Sequence, residues 1–311
     1  MQAEAVVFQA PKRLELKRME LRVPGVGELE VDVEFSGIST GTERLLWDGT
    51  MPAFPGMGYP LVPGYESVGR IASVGPDTTL KVGGLIFVPG AQCFEGVRNL
   101  FGGSASRLVV RQERVIAVED SLGEKAVLLA LAATARHALA NQTPPDLIIG
   151  HGVMGRLLAR LTIASGHPGP VVWEIDRKRQ DGAEGYTVIH PDDDTRRDYR
   201  AIYDVSGDSA ILDKAIGRQA PGGEIVLAGF YKESLSFAFA PAFMRETRIR
   251  VAAQWQRDDL MVATSLAHSG RLSLDGLITH SEIHANAAAA FQVAFGDADC
   301  LKMILDWKHC A

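Results

Sequence analysis

Three glycines spaced as G-x-G-x-x-G lie in mid-chain, where they could bind the phosphates of a dinucleotide. The apolar run at 147–149 predicts a buried strand before them, and apolar residues recurring from 157 to 163 predict a helix after them. In such a unit the first glycine permits a tight turn, the second lets backbone approach a pyrophosphate, and the third lets the helix pack closely. We therefore predict that the motif binds the cofactor through Gly150, Gly152, Val153, Met154 and Gly155.

An acidic residue follows the next apolar run. Residues 171–173 predict a second strand, and Glu174 follows it, nineteen residues after Gly155. A carboxylate at that place accepts hydrogen bonds from an unphosphorylated adenosine ribose, which predicts NAD as the cofactor. The basic triplet at 177–179 could instead hold a 2′-phosphate, so NADP stays open as the alternative.

Composition excludes several classes of partner. The net charge of −6 argues against a nucleic-acid partner, and no apolar run reaches the ~20 residues of a transmembrane segment. The N-terminus lacks the apolar core of a signal peptide, so the cytoplasm is the expected location. The three cysteines form no C-x-x-C pair, which argues against a disulfide framework and a zinc ribbon: Cys93, Cys300 and Cys310.

The remaining pattern predicts an α/β fold in which a doubly wound parallel sheet follows a β-rich segment. Alternating or short apolar runs punctuated by Gly and Pro predict a partly closed β structure before residue 123, and later strands are predicted at 187–189, 201–205, 224–227 and 249–252. Helices are predicted at 124–140, 258–268 and 286–295, and a terminal strand at 301–307. The connection from Glu174 to residue 187 is so short that we expect a stunted helix there, or none.

Several further motifs accompany the glycine loop, namely 63–69 (PGYESVG), 134–139 (TARHAL), 222–229 (GGEIVLAG) and 270–280 (GRLSLDGLITH). On these motifs the chain resembles the medium-chain dehydrogenase/reductase family over essentially its whole length. The resemblance implies a GroES-like catalytic domain at 1–122 and 256–311, with a Rossmann domain at 123–255 inserted in it. It also implies that Thr134 lies beside the nicotinamide and that Gly229 belongs to the cofactor site.

A narrower resemblance rests on 36–43 (SGISTGTE) and on the stretch 47–66. These segments are similar to a branch of the family that oxidises the hydroxyethyl side chain of a bacteriochlorin to acetyl with NAD. The resemblance implies a bacteriochlorin as the small-molecule substrate.

The positions that hold the zinc ligands in zinc-dependent members are occupied here by Ser39, Tyr65 and Ala130. A catalytic zinc needs three protein ligands of N, S or carboxylate type, so this resemblance predicts no metal. The four-cysteine lobe of other members is also missing. Without a metal, the candidate catalytic groups are the hydroxyls of Tyr65, Ser39 and Thr40, which Glu43 and Glu66 could polarise. The alternative, that Tyr65 is a packed aromatic and Ser39 a turn residue, stays open.

A loop at 47–59 carries large apolar side chains without helical or strand periodicity. It either packs beneath its own domain or lines a wide pocket, and the resemblance favours a pocket for the macrocycle. We therefore predict that substrate is bound by Trp47, Phe54, Met57 and Tyr59.

Four histidines could in principle do chemistry, and two of them form a pair. His280 and His284 stand at i, i+4, but no third ligand accompanies them in the sequence, so a structural role is favoured. His137 is more typical of a helix histidine with a hydrogen-bond partner. His151 lies inside the glycine motif, and its side chain could face the cofactor or the solvent.

The pattern as a whole predicts an NAD-dependent, zinc-independent alcohol dehydrogenase. One rival is an NADPH-dependent quinone or enoyl reductase, because such relatives also lack zinc. The other is a sensor that binds a dinucleotide without turnover. The sequence does not fix the oligomeric state, and a homodimer stays an open expectation.

Overall fold

The N-terminal alternation of apolar and polar residues produces three long strands in the computed structural model, which describes residues 1–252, 254–308 and 310. These are β1 (Gln2–Ala10), β2 (Arg13–Glu20) and β3 (Glu28–Ile38). In β3 the side chains of Val31 and Val33 are buried while Asp32 between them is exposed, because successive residues of a strand point to opposite faces.

The described chain divides into two compact units, Met1–Ala130 with Asp275–Ala311, and Leu131–Leu274. The first unit contains two sheets. One has the order β2-β1-β4-β7 and adds β4 (Leu61–Val62) and β7 (Arg98–Asn99). The other has the order β16-β17-β3-β5-β6-β9, with β8 paired to β3, and adds β5 (Ser67–Val74), β6 (Leu85–Val88), β8 (Arg107–Arg111), β9 (Ile116–Ala117), β16 (His280–Ile283) and β17 (Met303–Asp306).

Short helices complete the first unit. They are α1 (Thr42–Asp48) and α7 (Ala287–Gly296), with 3-10 turns at Gln112–Arg114, Gly123–Leu128 and His284–Asn286. The apolar face of α7 covers the first sheet, and the Phe291 ring meets Phe8 edge to face at 5.2 Å. This packing buries both rings completely.

The second unit is built on one parallel sheet with the order β12-β11-β10-β13-β14-β15. Its strands are β10 (Leu147–Ile149), β11 (Val171–Trp173), β12 (Thr187–Ile189), β13 (Tyr199–Asp204), β14 (Gln219–Leu227) and β15 (Arg248–Val251). Its helices are α2 (Leu129–Leu139), which starts two residues before the unit, α3 (Val153–Ala164), α4 (Ile211–Ile216), α5 (Phe239–Met244) and α6 (Arg257–His268). The strand order reverses between β10 and β13, and ligands of such sheets bind outside the carboxyl ends of the strands at that point.

The predicted fold class is confirmed, with a doubly wound parallel sheet between two stretches of a β-rich unit. The short connection after Glu174 contains only a 3-10 turn, Arg177–Gln180, as expected. The compact units are divided at 130/131 and 274/275, whereas the predicted domain limits are 122/123 and 255/256. Helix α6 clusters with the second unit, where Asp259 accepts a hydrogen bond at 2.7 Å from His137 of α2.

None of the helices in the described ranges is long and apolar enough to cross a bilayer.

Candidate functional site

The predicted hydroxyl cluster forms where β3 ends and β5 begins. These two strands are antiparallel neighbours, with Ser36 opposite Ser67, so the residues after Ile38 lie beside those before Ser67. The Tyr65 hydroxyl donates to Ser39 Oγ at 2.6 Å and lies 3.5 Å from Thr42 Oγ1. The structure thus brings Ser39 and Tyr65 together, adds Thr42 to them, and leaves Thr40 exposed.

A buried ion pair lies next to this cluster, between Lys302 and Glu66. Lys302 Nζ donates to Glu66 Oε2 at 2.6 Å and to the Ile38 carbonyl at 3.2 Å, and both side chains are buried. Lys302 reaches them because β17 pairs with β3, with Met303 opposite Ile38. Gly37 leaves room for the carboxylate, since a Cβ there would lie 2.2 Å from Glu66 Oε2. The negative charge of Glu66 is therefore paired with the positive charge of Lys302. The structure gives Glu66 no contact with the Tyr65 hydroxyl.

Glu43, in the first turn of α1, is the second buried carboxyl of the cluster. Its Oε2 accepts a hydrogen bond from the Ser39 backbone N–H at 3.2 Å. Burial, followed by the negative charge of Glu66, raises the pKa of Glu43 from 4.5 to about 8. The carboxyl is therefore protonated at neutral pH in the folded protein, and its contribution to stability is lost as the pH rises through about 8.

The Tyr65 hydroxyl is a hydrogen-bond donor at neutral pH. Burial and then the charge of Glu66 raise the pKa of Tyr65 well above its ordinary value. A tyrosine in this state can hold and stabilise a developing negative oxygen, but it does not itself become a base at neutral pH.

The residues at the family's zinc-ligand positions do not fit that metal. Ser39 and Tyr65 offer neutral hydroxyls hydrogen-bonded to each other, and Ala130 is a buried methyl group in α2. Three protein ligands of N, S or carboxylate type are not available in this set.

The glycine loop of the second unit has the geometry that its spacing predicts. It connects β10 directly to α3, which begins at Val153 with Gly152 as its N-cap. Gly150 has a φ of +103°, a conformation that favours glycine. A Cβ at Gly155 would lie 1.9 Å from the Gly150 carbonyl oxygen, whereas one at Gly152 would meet no atom within 4 Å. The third glycine therefore serves helix packing, and the second leaves open space at the N-terminus of α3.

Glu174 lies beside this loop at the carboxyl end of β11. Its Oε2 accepts from the His151 backbone N–H at 3.1 Å, and its Oε1 accepts from the Asp176 backbone N–H at 2.9 Å. The side chain is buried, so these two donors hold the carboxylate in place.

The side chain of His151 does not face the solvent. It is fully buried, with Nδ1 2.6 Å from the Arg179 carbonyl and Nε2 2.8 Å from the Tyr186 hydroxyl. Burial lowers the pKa of His151 to about 4, so the ring is neutral. Arg156 of α3 donates to the carbonyls of His151, Arg179, Asp181 and Gly182. These two side chains form hydrogen bonds with backbone carbonyls of the connection between β11 and β12, which contains little helix.

The two remaining residues that are predicted to bind the cofactor lie on other elements of the second unit. Thr134 is half-buried in α2. Gly229 follows β14, and its N–H donates to the Asp204 carbonyl at 3.0 Å, which places it next to the carboxyl end of β13.

The predicted substrate-binding residues separate into two groups. Trp47, Met57 and Tyr59 pack against the core of the first unit, where the Trp47 ring lies 5.5 Å from Phe8. The side chain of Phe54 is 38% exposed. Of these four residues, Phe54 alone is exposed.

The fold agrees with a comparison to known proteins. Residues 25–120 match the alcohol dehydrogenase GroES-like domain. Over 311 residues and 99% of each chain, the sequence is 55% identical to the 2-desacetyl-2-hydroxyethyl bacteriochlorophyllide A dehydrogenase of Rhodobacter capsulatus. The chain therefore belongs to the medium-chain dehydrogenase/reductase family.

Two further proteins are similar to this chain. The Cereibacter sphaeroides protein of the same name is 52% identical over 318 residues and the full length of both chains. The crystal structure of 2R,3R-butanediol dehydrogenase from Bacillus subtilis superposes with a TM-score of 0.84 at 20% identity, covering 98% of this chain and 99% of that one. This last likeness concerns the fold.

Sequence reasoning missed Lys302 and Arg156. The only local signal for Lys302 is a lysine directly before the apolar run of a strand, and its partner Glu66 is 236 positions away. Arg156 stands in an amphipathic helix pattern that does not distinguish a buried arginine from an exposed one.

Proposed function

We propose that the protein oxidises the 3-(1-hydroxyethyl) group of a bacteriochlorophyllide to an acetyl group, with NAD as the hydride acceptor and without catalytic zinc. We infer the substrate from the sequence identity of 55% and 52%, over essentially the full length, to two dehydrogenases named for that pigment. The hydroxyl pair of Ser39 and Tyr65 at the family's zinc positions supports the absence of a catalytic metal.

The proposed reaction combines hydride transfer to the cofactor with stabilisation of the substrate oxygen by two hydroxyl groups. NAD, when bound, accepts the hydride from the hydroxyethyl carbon. The Tyr65 and Ser39 hydroxyls hold the substrate oxygen and stabilise the charge that develops there as hydride leaves. The hydroxyl proton is released to solvent. The buried Glu66–Lys302 pair fixes the segment that carries Tyr65.

One assay tests this function against its rivals. The protein is incubated with hydroxyethyl-bacteriochlorophyllide and each oxidised nicotinamide cofactor, and the red-shift of the pigment is followed. Turnover with NAD supports the proposal. Turnover only of quinones or enoyl substrates with NADPH would support the reductase, and NADH binding without turnover of any of these substrates would support a sensor.

Glu174 should make the protein prefer NAD over NADP, because a buried carboxylate repels a 2′-phosphate across a short distance. Glu174→Gln keeps the shape and removes the charge, so the NAD/NADP ratio of kcat/KM should fall by about tenfold. Asp176→Asn is the matched control, since it removes a nearby charge that caps the 3-10 turn. Equal use of both cofactors by the unaltered protein would contradict this role.

Activity should survive exhaustive chelation, and Tyr65→Phe should lower kcat by about 100-fold by removing a donor to the substrate oxygen. Tyr203→Phe is the control, because it removes a buried hydroxyl that donates to the Thr143 carbonyl in the second unit. Loss of activity on chelation at an unchanged circular dichroism spectrum, with recovery on adding zinc, would overturn the metal-free mechanism. An unchanged kcat in Tyr65→Phe would remove that residue from it.

Phe54→Ala should weaken pigment binding by about tenfold, since burying a phenylalanine side chain contributes ~1.5–3 kcal/mol. NADH affinity and the circular dichroism spectrum should not change. Phe237→Ala, which truncates an exposed phenylalanine of the second unit, is the control. If pigment affinity is unchanged in Phe54→Ala, the macrocycle binds elsewhere.

We further propose that the protein is a cytoplasmic homodimer. Strand β15 is an edge of its sheet, and the exposed side chains of Val251, Phe243 and Met244 lie on it and on the neighbouring α5. An open edge with exposed apolar groups suits pairing with a second copy. Light scattering should give twice the chain mass of 33.5 kDa.

A further inference from the structure

Three side chains of metal-binding type meet in the first unit. They are distant in sequence from Ser39 and Tyr65 and lie on other elements. They are Glu4 of β1, His284 directly after β16, and Cys310 near the C-terminus. Their ligand atoms all lie within 4.8 Å of one another. His284 Nε2 is 3.4 Å from Glu4 Oε2, and Cys310 Sγ is 3.5 Å from the same oxygen.

We propose that Glu4, His284 and Cys310 form a binding site for a zinc ion, with the fourth position open to water. Zinc binds nitrogen, thiolate and carboxylate ligands at about 2.0–2.3 Å in a tetrahedron, which puts ligand atoms about 3.3–3.8 Å apart. The two measured separations of 3.4 and 3.5 Å fall in that range. The site takes one ligand of each type from three separate segments.

The orientation of His284 favours a ligand role. Its Nδ1 lies 3.3 Å from the Asp306 carbonyl, so a neutral ring that donates there directs the Nε2 lone pair at Glu4. Metal-binding histidines commonly have their other ring nitrogen bonded in this way.

One buried tryptophan positions two of the three ligands. The Trp307 ring stacks on the His284 ring at 5.2 Å, and its carbonyl accepts the Cys310 N–H at 2.9 Å. Trp307 is itself fixed, because its Nε1 donates to Ser36 Oγ at 2.8 Å. The ligands are therefore held in place before the ion arrives, which reduces the entropy cost of binding.

Binding would replace the existing hydrogen bond of the thiol. The Cys310 thiol donates to Glu4 Oε2 at 3.5 Å. Zinc binds the thiolate, so the thiol proton leaves to solvent as the Zn–S bond forms. The bound ion would join the C-terminal segment to β1 and stabilise the fold by mass action.

The test is a zinc titration of the full chain against a chromophoric chelator, with Co²⁺ as a spectroscopic probe. The expected result is one zinc per chain, a thiolate-to-cobalt charge-transfer band, and a Tm that rises with zinc. His284→Gln and Cys310→Ser should each weaken binding by about tenfold or more, since even indirect ligand contacts contribute that much.

His280→Gln is the matched control. His280 lies on β16, four residues before His284, but its Nε2 faces Asp297 at 3.9 Å, so zinc binding should not change. Circular dichroism of the metal-free variants shows that they fold. The proposal is overturned if the unaltered protein binds no zinc, or if Cys310→Ser and His284→Gln bind it as tightly as the unaltered protein does.

Discussion

Replacing Lys302 by methionine should lower the free energy of unfolding by about 3–5 kcal/mol, because it leaves the Glu66 carboxylate buried without its partner. Urea unfolding at neutral pH measures the loss. Activity should fall as well, since Glu66 adjoins Tyr65.

Two control variants separate the ion pair from a general effect of removing lysine. Lys302→Met with Glu66→Gln removes both charges and should recover most of the lost stability, since replacing a whole buried pair is often nearly neutral. Lys125→Met removes an exposed lysine paired with Asp275 and should cost about 1 kcal/mol or less. If Lys302→Met is no more destabilising than Lys125→Met, the buried pair does not have the role assigned to it.

Two alanine substitutions in the glycine loop should have different effects on stability and cofactor binding. Gly155→Ala puts a methyl group 1.9 Å from the Gly150 carbonyl oxygen, so the helix must move. Such overpacking costs about 1–3 kcal/mol, and NADH binding should be lost with it. Gly152→Ala meets no protein atom within 4 Å, so stability should be unchanged while the methyl group blocks the approach of a pyrophosphate.

Thermal unfolding and NADH fluorescence titration distinguish the two variants. We expect Gly152→Ala to raise the Kd for NADH about 10- to 100-fold at an unaltered Tm. An NADH affinity equal to that of the unaltered protein would show that the second glycine does not face the pyrophosphate.

The sequence by itself determined the features that depend on neighbours along the chain. Strands and helices such as β3 and α3 follow from apolar periods of two and about 3.6 residues, and the glycine loop follows from its spacing between β10 and α3. The short connection after Glu174 was correctly expected to lack a full helix, because a dozen residues leave no room for one. The hydroxyl pair was predicted by its place in two family motifs, and in the structure the Tyr65 hydroxyl donates to Ser39 Oγ.

Only the tertiary structure decided which remote side chains meet. The pairing of Lys302 with Glu66 depends on the register of β17 on β3, and the side chain of His151 turns inward because the connection after β11 offers it a carbonyl and a hydroxyl. Trp47 could have lined a pocket or filled a core, and the ring of Phe8 places it against the core. A periodic pattern assigns a residue to a face of its element, but the partner it finds there is set by how distant strands align, and that alignment has no local signal.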